Sequence, residues 1–260
     1  MIQVVIPMTG YGSRFVAAGY KNLKPFIKVC GKTMIEWIVS MYNQETTKFI
    51  FICRQEHLET NPDFNLLYKI AKNYEVVAIK DWEKLGPVND FYRACRLGKI
   101  DYFSPVIINY CDFFCLWNSD EFIKECQKRK VDGAIPCYTG FHPHLIPHKN
   151  VYASCNVDEN NYLKEIREKY SFEADKTKAH HSPGIYYFST GHIAVNFSYL
   201  MMQKKDMLNG EYYASLVYNH LLSCGGKVWC PDNVKYFCQW GTPEDLQDFE
   251  MWMNILGGKK

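Results

Sequence analysis

Near its start the sequence reads Val4-Val5-Ile6-Pro7-Met8-Thr9-Gly10-Tyr11-Gly12-Ser13-Arg14-Phe15. The apolar run over 4–7 predicts a buried strand, and the glycine-bearing run after it predicts a loop at the carboxyl end of that strand. Glycines let backbone N–H groups approach a phosphate or a base closely, and the Arg14 guanidinium adds a fork of donors for phosphate oxygens. The segment therefore indicates a nucleotide-binding loop, with an ordinary tight turn as the alternative.

Two well-known phosphate-binding motifs do not account for this loop. Phe15 stands where the third glycine of the dinucleotide-binding fingerprint belongs, and no Gly-Lys-Ser or Gly-Lys-Thr closes the loop as in a P-loop. A different class of nucleotide site is therefore expected. Its candidate nucleotide-binding residues in the loop are Met8, Thr9, Gly10, Tyr11, Gly12 and Ser13.

Strand-like and helix-like segments alternate through the first half of the chain, which is typical of βαβ units. Strands are predicted there over residues 4–7, 48–53, 75–79, 105–109 and 133–138, and helices over 33–44, 63–73, 88–98 and 119–130. In the second half, strands are predicted over 151–157, 162–166 and 185–188, and helices over 192–204, 211–224 and 242–256. The expected fold class is α/β, a mainly parallel, Rossmann-like sheet sandwiched by helices, with added antiparallel strands.

Three residues are predicted to cap helices at their N-termini. Thr33 has Glu36 three residues on, which is the spacing of a capping box, whereas Ser119 has no acid at that position. Thr242 is followed by Pro243, a residue that favours the first helical position.

Length and charge limit the class of protein. With 260 residues, 47% of them hydrophobic, the chain can bury the core of one domain over 1–260. A net charge of +2 argues against binding nucleic acid or an anionic membrane through the overall field. The longest apolar runs are far shorter than the roughly 20 residues of a membrane span, and we see no signal peptide. A cytoplasmic protein is expected.

The cysteines and histidines suggest structural rather than metal-binding roles. Eleven cysteines is an odd number, and many lie in apolar stretches, which indicates reduced thiols. No Cys-x-x-Cys spacing occurs, so no structural zinc is expected. The histidine groups are predicted to be solvated loop residues, with contact to an anionic substrate or to a metal as alternatives: His142, His144 and His148, and His180 with His181.

A second segment makes a resemblance specific. It reads Lys24-Pro25-Phe26-Ile27-Lys28-Val29-Cys30-Gly31-Lys32-Thr33-Met34-Ile35-Glu36-Trp37. Together with the first loop, it resembles the signature of the sugar-phosphate nucleotidylyltransferases, which have a GT-A-like fold. The resemblance implies that Arg14 and Lys24 are catalytic and bind the triphosphate and the transferring α-phosphate.

Later segments continue the resemblance in the same order. Gly86 and Pro87 match a turn that contacts the base or the sugar, and Asp112 matches an aspartate that holds Mg²⁺ after a central strand. An aspartate that only caps a turn is the alternative for Asp112. The family pattern implies that the following residues bind the acceptor: Glu168, Lys169, Gly184, Glu211 and Tyr212.

The chain departs from the family pattern at one place. Many relatives have a second metal-binding aspartate two or three residues before the glycine of Gly-Thr-Pro, where this sequence has Cys238 and Gln239. Either Asp112 and the triphosphate hold Mg²⁺ with waters, or Glu211 or Asp232 substitutes, or activity is weakened or lost.

The resemblance implies a Mg²⁺-dependent nucleotidyltransferase that moves a nucleoside monophosphate from a nucleoside triphosphate to a phosphorylated small molecule and releases pyrophosphate. CTP or UTP and a sugar 1-phosphate are favoured, in the synthesis of surface polysaccharides. Residues 1–130 are expected to form a nucleotide-binding half, and residues 131–260 an acceptor-binding half. A homo-oligomer is compatible with this function. The alternatives are a non-catalytic sensor and a glycosyltransferase of the related fold, although Cys111-Asp112-Phe113-Phe114 is not the Asp-x-Asp motif that such an enzyme normally has.

Overall fold

The computed structural model describes residues 1–80, 83–146 and 152–257. The strands are β1 Ile2–Pro7, β2 Lys28–Val29, β3 Lys32–Thr33, β4 Thr47–Arg54, β5 Tyr74–Ile79, β6 Val106–Asn109, β7 Phe113–Leu116, β8 Gly133–Ala134, β9 Ser154–Val157, β10 Leu163–Arg167, β11 His180–His181, β12 Ile185–Phe188, β13 Val228–Trp229 and β14 Tyr236–Gln239. The α-helices are α1 Ser13–Ala17, α2 Met34–Ser40, α3 Gln55–Thr60, α4 Leu67–Ile70, α5 Pro87–Arg96, α6 Ser119–Arg129, α7 Gly191–Gln203, α8 Val217–Ser223 and α9 Pro243–Leu256. Short 3-10 helices span Lys24–Phe26, Pro62–Leu66, Pro143–Leu145, Lys176–Lys178 and Ala214–Leu216.

A seven-stranded sheet in the order β13-β8-β12-β6-β1-β4-β5 forms the centre of the molecule. All neighbouring pairs in it are parallel except those of β12, which runs antiparallel to β6 and β8. Strand β1 is buried on both faces, with Val5 in one core cluster and Val4 and Ile6 in another. This explains its continuous apolar sequence, which is typical of a central parallel strand covered by helices on both sides.

Smaller antiparallel pairings surround this sheet, as the sequence predicted. Strands β10, β9 and β11 form one of them, and β14 pairs with β7. The predicted strand over 151–157 begins only at Ser154, and Val151 lies outside the described residues. No helix in the described ranges is long and apolar enough to cross a membrane.

Three predicted helices are shorter than expected. The one over 33–44 is α2, which ends at Ser40, and the other two give way to pairing with distant segments. Residues 63–73 form a 3-10 turn and the four-residue α4, because β5 must begin at Tyr74 to pair with Phe49 of β4. Residues 211–224 become helical only from Ala214, because the Tyr212 backbone bonds to that of Leu85 and Val88 instead. Both differences arise from pairing with distant segments, which local periodicity does not report.

The predicted caps are right at two helices and wrong at one. Thr33 and Glu36 form the capping box of α2, and Thr242 caps α9 with its side chain accepting from the Asp245 N–H. Helix α6 is capped by Asn118 instead of Ser119, because the Asn118 side-chain oxygen accepts from the Glu121 N–H at 3.1 Å. Ser119 is the first helical residue.

Candidate active site

The glycine loop after β1 leads into the short helix α1 and lies against the segment that carries Lys24. Gly12 has φ +60°, and a Cβ there would lie 3.2 Å from the Lys24 Cβ. The left-handed backbone at Gly12 is therefore paired with a close approach of Lys24. Lys24 begins a 3-10 helix whose second residue is Pro25, and the apolar side chains of this turn are buried.

A first cavity of about 370 Å³ opens along the loop. Every residue predicted to bind the nucleotide lines it, as do the predicted catalytic residues Arg14, Lys24 and Asp112. The wall also includes residues that sequence reasoning did not single out, namely Lys84, Asp90, Tyr110 and Tyr213. Asp90 is buried in the first turn of α5 and accepts a hydrogen bond from the Thr9 hydroxyl. The sequence could have indicated Asp90 as an acid in the first turn of a helix, where the helix dipole favours a carboxylate.

A second cavity of about 380 Å³ adjoins the first. Three of the predicted acceptor residues line it: Glu168, Lys169 and Gly184. Glu211 lies on the first cavity instead, where its carboxylate is 3.2 Å from the Lys84 ammonium.

The two cavities share one wall. It is formed by Arg14, Tyr110, Asp112, Tyr213 and Gly241. A molecule in the first cavity and a molecule in the second would therefore meet at a guanidinium and a carboxylate.

Tyr212, which was predicted to bind the acceptor, lines neither cavity. Its ring is 7% exposed and lies in the core, whereas Tyr213 lines both cavities. The reason is the backbone of Tyr212, whose N–H donates to the Leu85 carbonyl at 2.8 Å and whose carbonyl accepts from the Val88 N–H. These bonds turn the ring of residue 212 inward and leave residue 213 at the cavity wall.

Lys24 and Asp112 form an ion pair at the shared wall. The Lys24 Nζ lies 2.6 Å from Asp112 Oδ2 and donates to the Gly241 carbonyl at 3.1 Å. The side chains are 15% and 31% exposed, so both charges lie partly out of water and face the cavity. A carboxylate directly after a central strand of a parallel sheet is in the usual place for a ligand site in such folds.

Gly86 brings α5 and the 211–213 segment together. It has φ +90°, and a Cβ there would lie 2.8 Å from the Tyr212 backbone nitrogen and 3.0 Å from the Glu211 Cβ. Glycine is therefore required twice, by the dihedral angle and by the close backbone contact.

We expect Gly86→Ala to lower the free energy of unfolding by about 3 kcal/mol or more, the sum of backbone strain and overpacking. Denaturant unfolding measures this change. Gly19→Ala is the matched control, since Gly19 has φ +87° but nothing within 4 Å of the added Cβ. Equal losses in the two variants would mean that the contact with Tyr212 contributes nothing.

Glu168 lies at the end of β10, half-buried in the second cavity. Its carboxylate accepts a hydrogen bond from the Ser215 hydroxyl, and the Lys169 ammonium lies 5.7 Å from the centre of the Tyr213 ring. Burial raises the pKa of Glu168 to about 7, although the Ser215 hydrogen bond and Lys169 act in the opposite direction. The group can therefore change charge near neutral pH.

This pKa shift predicts a pH-dependent stability. Because the folded-state pKa of about 7 exceeds the ordinary 4.5, the folded chain holds the proton more tightly than the unfolded chain. The contribution of this group to the free energy of unfolding is fully present below pH 4.5 and is lost as pH rises through about 7. We expect the free energy of unfolding, relative to Glu168→Gln, to fall by about 3 kcal/mol over this range. Glu159→Gln, at an exposed carboxylate, should give no such difference.

Neither acid proposed from the sequence to replace the missing aspartate belongs to the wall shared by the two cavities. Asp232 lines neither cavity, and its carboxylate accepts a hydrogen bond from the Thr139 hydroxyl at 2.6 Å. Glu211 lies on the first cavity only. Asp245 lines the second cavity. The sequence did not single it out, because an acid three residues after Thr242 is fully explained as the second member of a capping box.

Asp245 faces Asp112 across Gly241. A Cβ at Gly241 would lie 3.5 Å from Asp245 Oδ2 and 3.9 Å from Asp112 Oδ2. The Gln239 amide, at the family's aspartate position, donates to Asp245 Oδ1 at 2.7 Å and accepts from the Tyr152 hydroxyl. Burial raises the pKa of Asp245, and the positive charges of Arg14 and Lys24 act in the opposite direction.

Of the grouped histidines that the structure describes, His144 and His180 are half-buried, and the prediction of solvated residues is wrong for the buried His142 and His181. His142 and His181 are 6% and 2% exposed and pack, with His144, around the Tyr138 ring. Burial lowers the pKa of His144 to about 3, so this group is neutral at physiological pH. None of these three lines the two cavities, and His148 lies outside the described residues.

Comparison with known proteins supports the fold. No protein-family model matches the chain, and no curated protein matches it in sequence. Among solved structures, a nucleoside-diphosphate-sugar pyrophosphorylase from Vibrio cholerae superposes with a TM-score of 0.72 at 18% identity, over 95% of this chain and 99% of that one. A UDP-glucose pyrophosphorylase in complex with UDP-glucose superposes with a TM-score of 0.74 at 14% identity, over 98% of this chain and 100% of that one. HddC from Yersinia pseudotuberculosis superposes with a TM-score of 0.62 at 19% identity, over 98% of this chain and 100% of that one.

These superpositions cover essentially the whole chain, so the likeness includes the added antiparallel strands as well as the central sheet. The chain therefore has the α/β fold of the nucleotide-sugar pyrophosphorylases, and the predicted fold class is confirmed.

Proposed function

We propose that this protein is a sugar-phosphate nucleotidyltransferase, which transfers a nucleoside monophosphate from a nucleoside triphosphate to a sugar 1-phosphate and releases pyrophosphate. The observation that carries the proposal is the wall shared by the two cavities, because it places Arg14 and Asp112 between two separate binding spaces. An enzyme that joins two phosphorylated molecules needs this arrangement. The full-length likeness to pyrophosphorylases, one of them holding UDP-glucose, supports the same reaction class.

The triphosphate is assigned to the first cavity and the acceptor to the second. The first is lined mainly by residues before 113, and the second mainly by residues after 151, which supports a nucleotide-binding half over about 1–130 and an acceptor-binding half over 131–260. Glu168 and Lys169 then offer the acceptor a carboxylate for hydroxyl groups and an ammonium for the phosphate.

In the proposed reaction, an acceptor phosphate oxygen attacks the α-phosphorus in line, and the bond from that phosphorus to the pyrophosphate oxygen breaks. No general base is required, because a phosphate monoester is already ionised near neutral pH. Catalysis comes from charge and positioning: Arg14 binds the β- and γ-phosphates, and Lys24 binds the transferring group. Lys169 orients the acceptor phosphate.

We infer that Mg²⁺ binds at Asp112. The Asp112 carboxylate forms an ion pair with one cation, the Lys24 ammonium. The carboxylate also faces the space assigned to the phosphates. Carboxylate and phosphate oxygens are preferred ligands of Mg²⁺, which keeps several waters where the protein offers few ligands. When bound, the ion would neutralise part of the negative charge on the phosphate oxygens.

Asp245 is our candidate for the role of the missing second acid. We expect Asp245→Asn to weaken metal binding about tenfold, the size found when a supporting group of a metal site is lost. The amide oxygen can still accept from the Thr242 N–H, so α9 keeps its cap. Titration with Mn²⁺, followed by electron paramagnetic resonance, measures the affinity directly. Glu244→Gln, at an exposed carboxylate in the first turn of α9 that lines neither cavity, is the matched control, and equal affinities in all three proteins would remove Asp245 from the metal site.

A pyrimidine nucleotide, CTP or UTP, remains our preferred donor, because the Gly86-Pro87-Val88 turn indicates a tight base pocket. The proposed product is a nucleotide sugar for surface polysaccharide synthesis in the cytoplasm.

The deciding experiment is an assay of pyrophosphate release with Mg²⁺, in which the four common nucleoside triphosphates and dTTP are crossed with sugar 1-phosphates and small phospho-alcohols. Release with one pair establishes the reaction and names both substrates.

A non-catalytic sensor is the second candidate, and the specific observation in its favour is Gln239 at the family's aspartate position. Tight nucleotide binding without pyrophosphate release for any pair of the panel would favour that function.

A further inference from the structure

Three cysteines that no local motif connects meet in the core. Cys137 follows β8, Cys155 lies in β9, and Cys230 follows β13. Their sulfur atoms all lie within 4.8 Å of one another, and the Sγ atoms of Cys137 and Cys155 are 3.9 Å apart. The residues are 0%, 3% and 0% exposed. We call this group the cysteine triad.

Each member is held by the backbone of a different segment. The Cys137 N–H donates to the Pro231 carbonyl at 2.8 Å, and the Cys230 N–H donates to the Asn161 carbonyl at 2.7 Å. Cys155 lies between β10 and β11 in their small sheet, opposite Ile166 and His180. The positions of the three sulfur atoms are therefore fixed by tertiary structure.

The spacing of the sulfur atoms suits a single bound ion. A metal–sulfur bond of about 2.3 Å, in a trigonal arrangement, requires sulfur atoms about 4 Å apart. The triad meets this spacing with little movement. In the described ranges, the other buried cysteines, Cys53, Cys95, Cys115 and Cys126, join no such group.

We propose that the cysteine triad is a binding site for a soft, thiophilic cation, of which cuprous ion is the best match. Hard cations such as Mg²⁺ prefer oxygen ligands, and structural Zn²⁺ takes four ligands, whereas the group here, as far as the structure is described, offers three. Thiolate ligands select soft ions. On loading, each S–H bond replaced by a Cu–S bond releases one proton to water, and no electron is transferred. The affinity therefore rises with pH.

The triad lies behind the second cavity and is separate from the proposed catalytic groups. Ala153 and Tyr186 line that cavity and belong to the same core cluster as the three cysteines. An ion at the triad would tie β9 to the two segments beside it and stabilise the folded chain by mass action. This inference does not depend on the proposed function.

The test uses the full chain with the exposed Cys30 and Cys224 changed to serine, metal-depleted and kept anaerobic. Cuprous ion is added from a competing chelator, and binding is followed by thiolate-to-copper charge-transfer absorption and by the melting temperature. We expect one ion per chain, a higher melting temperature, and affinity at least about tenfold lower after Cys137→Ser, Cys155→Ser or Cys230→Ser. Cys126→Ser, at a buried cysteine outside the triad, is the control and should bind normally.

X-ray absorption at the copper edge keeps the test valid if a triad variant does not fold, since it needs only the loaded parent protein. We expect three sulfur neighbours and no nitrogen or oxygen in the first coordination shell. No binding by the parent protein, equal loss in the Cys126→Ser control, or a shell containing nitrogen or oxygen would each overturn the proposal.

Discussion

Lys24→Ala is expected to lower turnover by roughly two orders of magnitude or more, the size of a lost charged donor in a transition state. Its ammonium lies 2.6 Å from Asp112 of the shared wall, on the cavity assigned to the triphosphate. A group in this place can stabilise the charge that develops on the transferring phosphate. Steady-state pyrophosphate release gives the turnover number, and circular dichroism checks the fold.

Lys28→Ala is the matched control for this variant. Lys28 belongs to the same segment but is exposed on the short strand β2 and lines neither cavity. Its loss should leave turnover within about twofold of the parent protein, since surface substitutions away from a site have small effects. Normal turnover in Lys24→Ala would remove this lysine from the mechanism.

Asp112→Asn is expected to abolish the Mg²⁺-dependent activity. The substitution keeps the size of the side chain but removes the negative charge that binds the cation, and it leaves the Lys24 ammonium without its partner carboxylate. Pyrophosphate release as a function of Mg²⁺ concentration measures the effect. Mn²⁺ binding by the same variant separates lost metal affinity from lost catalysis.

Asp248→Asn, at an exposed carboxylate of α9 that lines neither cavity, serves as the control for the removal of one negative charge. An unchanged Mg²⁺ dependence in Asp112→Asn would show that the aspartate only caps its turn, which was the structural alternative for this residue.

The fold and half of the candidate site could be predicted because their signals are local. The strand before the loop, the glycines of the loop and the Lys24 segment lie within the first 37 residues, and each signal is a run of adjacent residues. The alternation of strands and helices likewise depends on short-range periodicity. These features needed no knowledge of which segments meet in space.

The remainder of the site depends on contacts between distant residues. Whether residue 212 or residue 213 faces the cavity is decided by a backbone bond to Leu85, more than a hundred positions away. Asp245 enters the site only because the turn at Gly241 brings α9 to Asp112. The cysteine triad joins three segments whose spacings match no motif. No local pattern carries this information.

The hydrogen bond from Lys24 to the Gly241 carbonyl also has a consequence for biosynthesis. It joins residues 217 positions apart, so the ribosome makes the lysine long before its partner. The glycine loop and the strand before it are therefore made long before the Lys24 ammonium can be held by the Gly241 carbonyl. The environment of the Lys24 ammonium is therefore completed only after residue 241 has been made, and a product terminated before the Gly241 turn would lack this hydrogen bond.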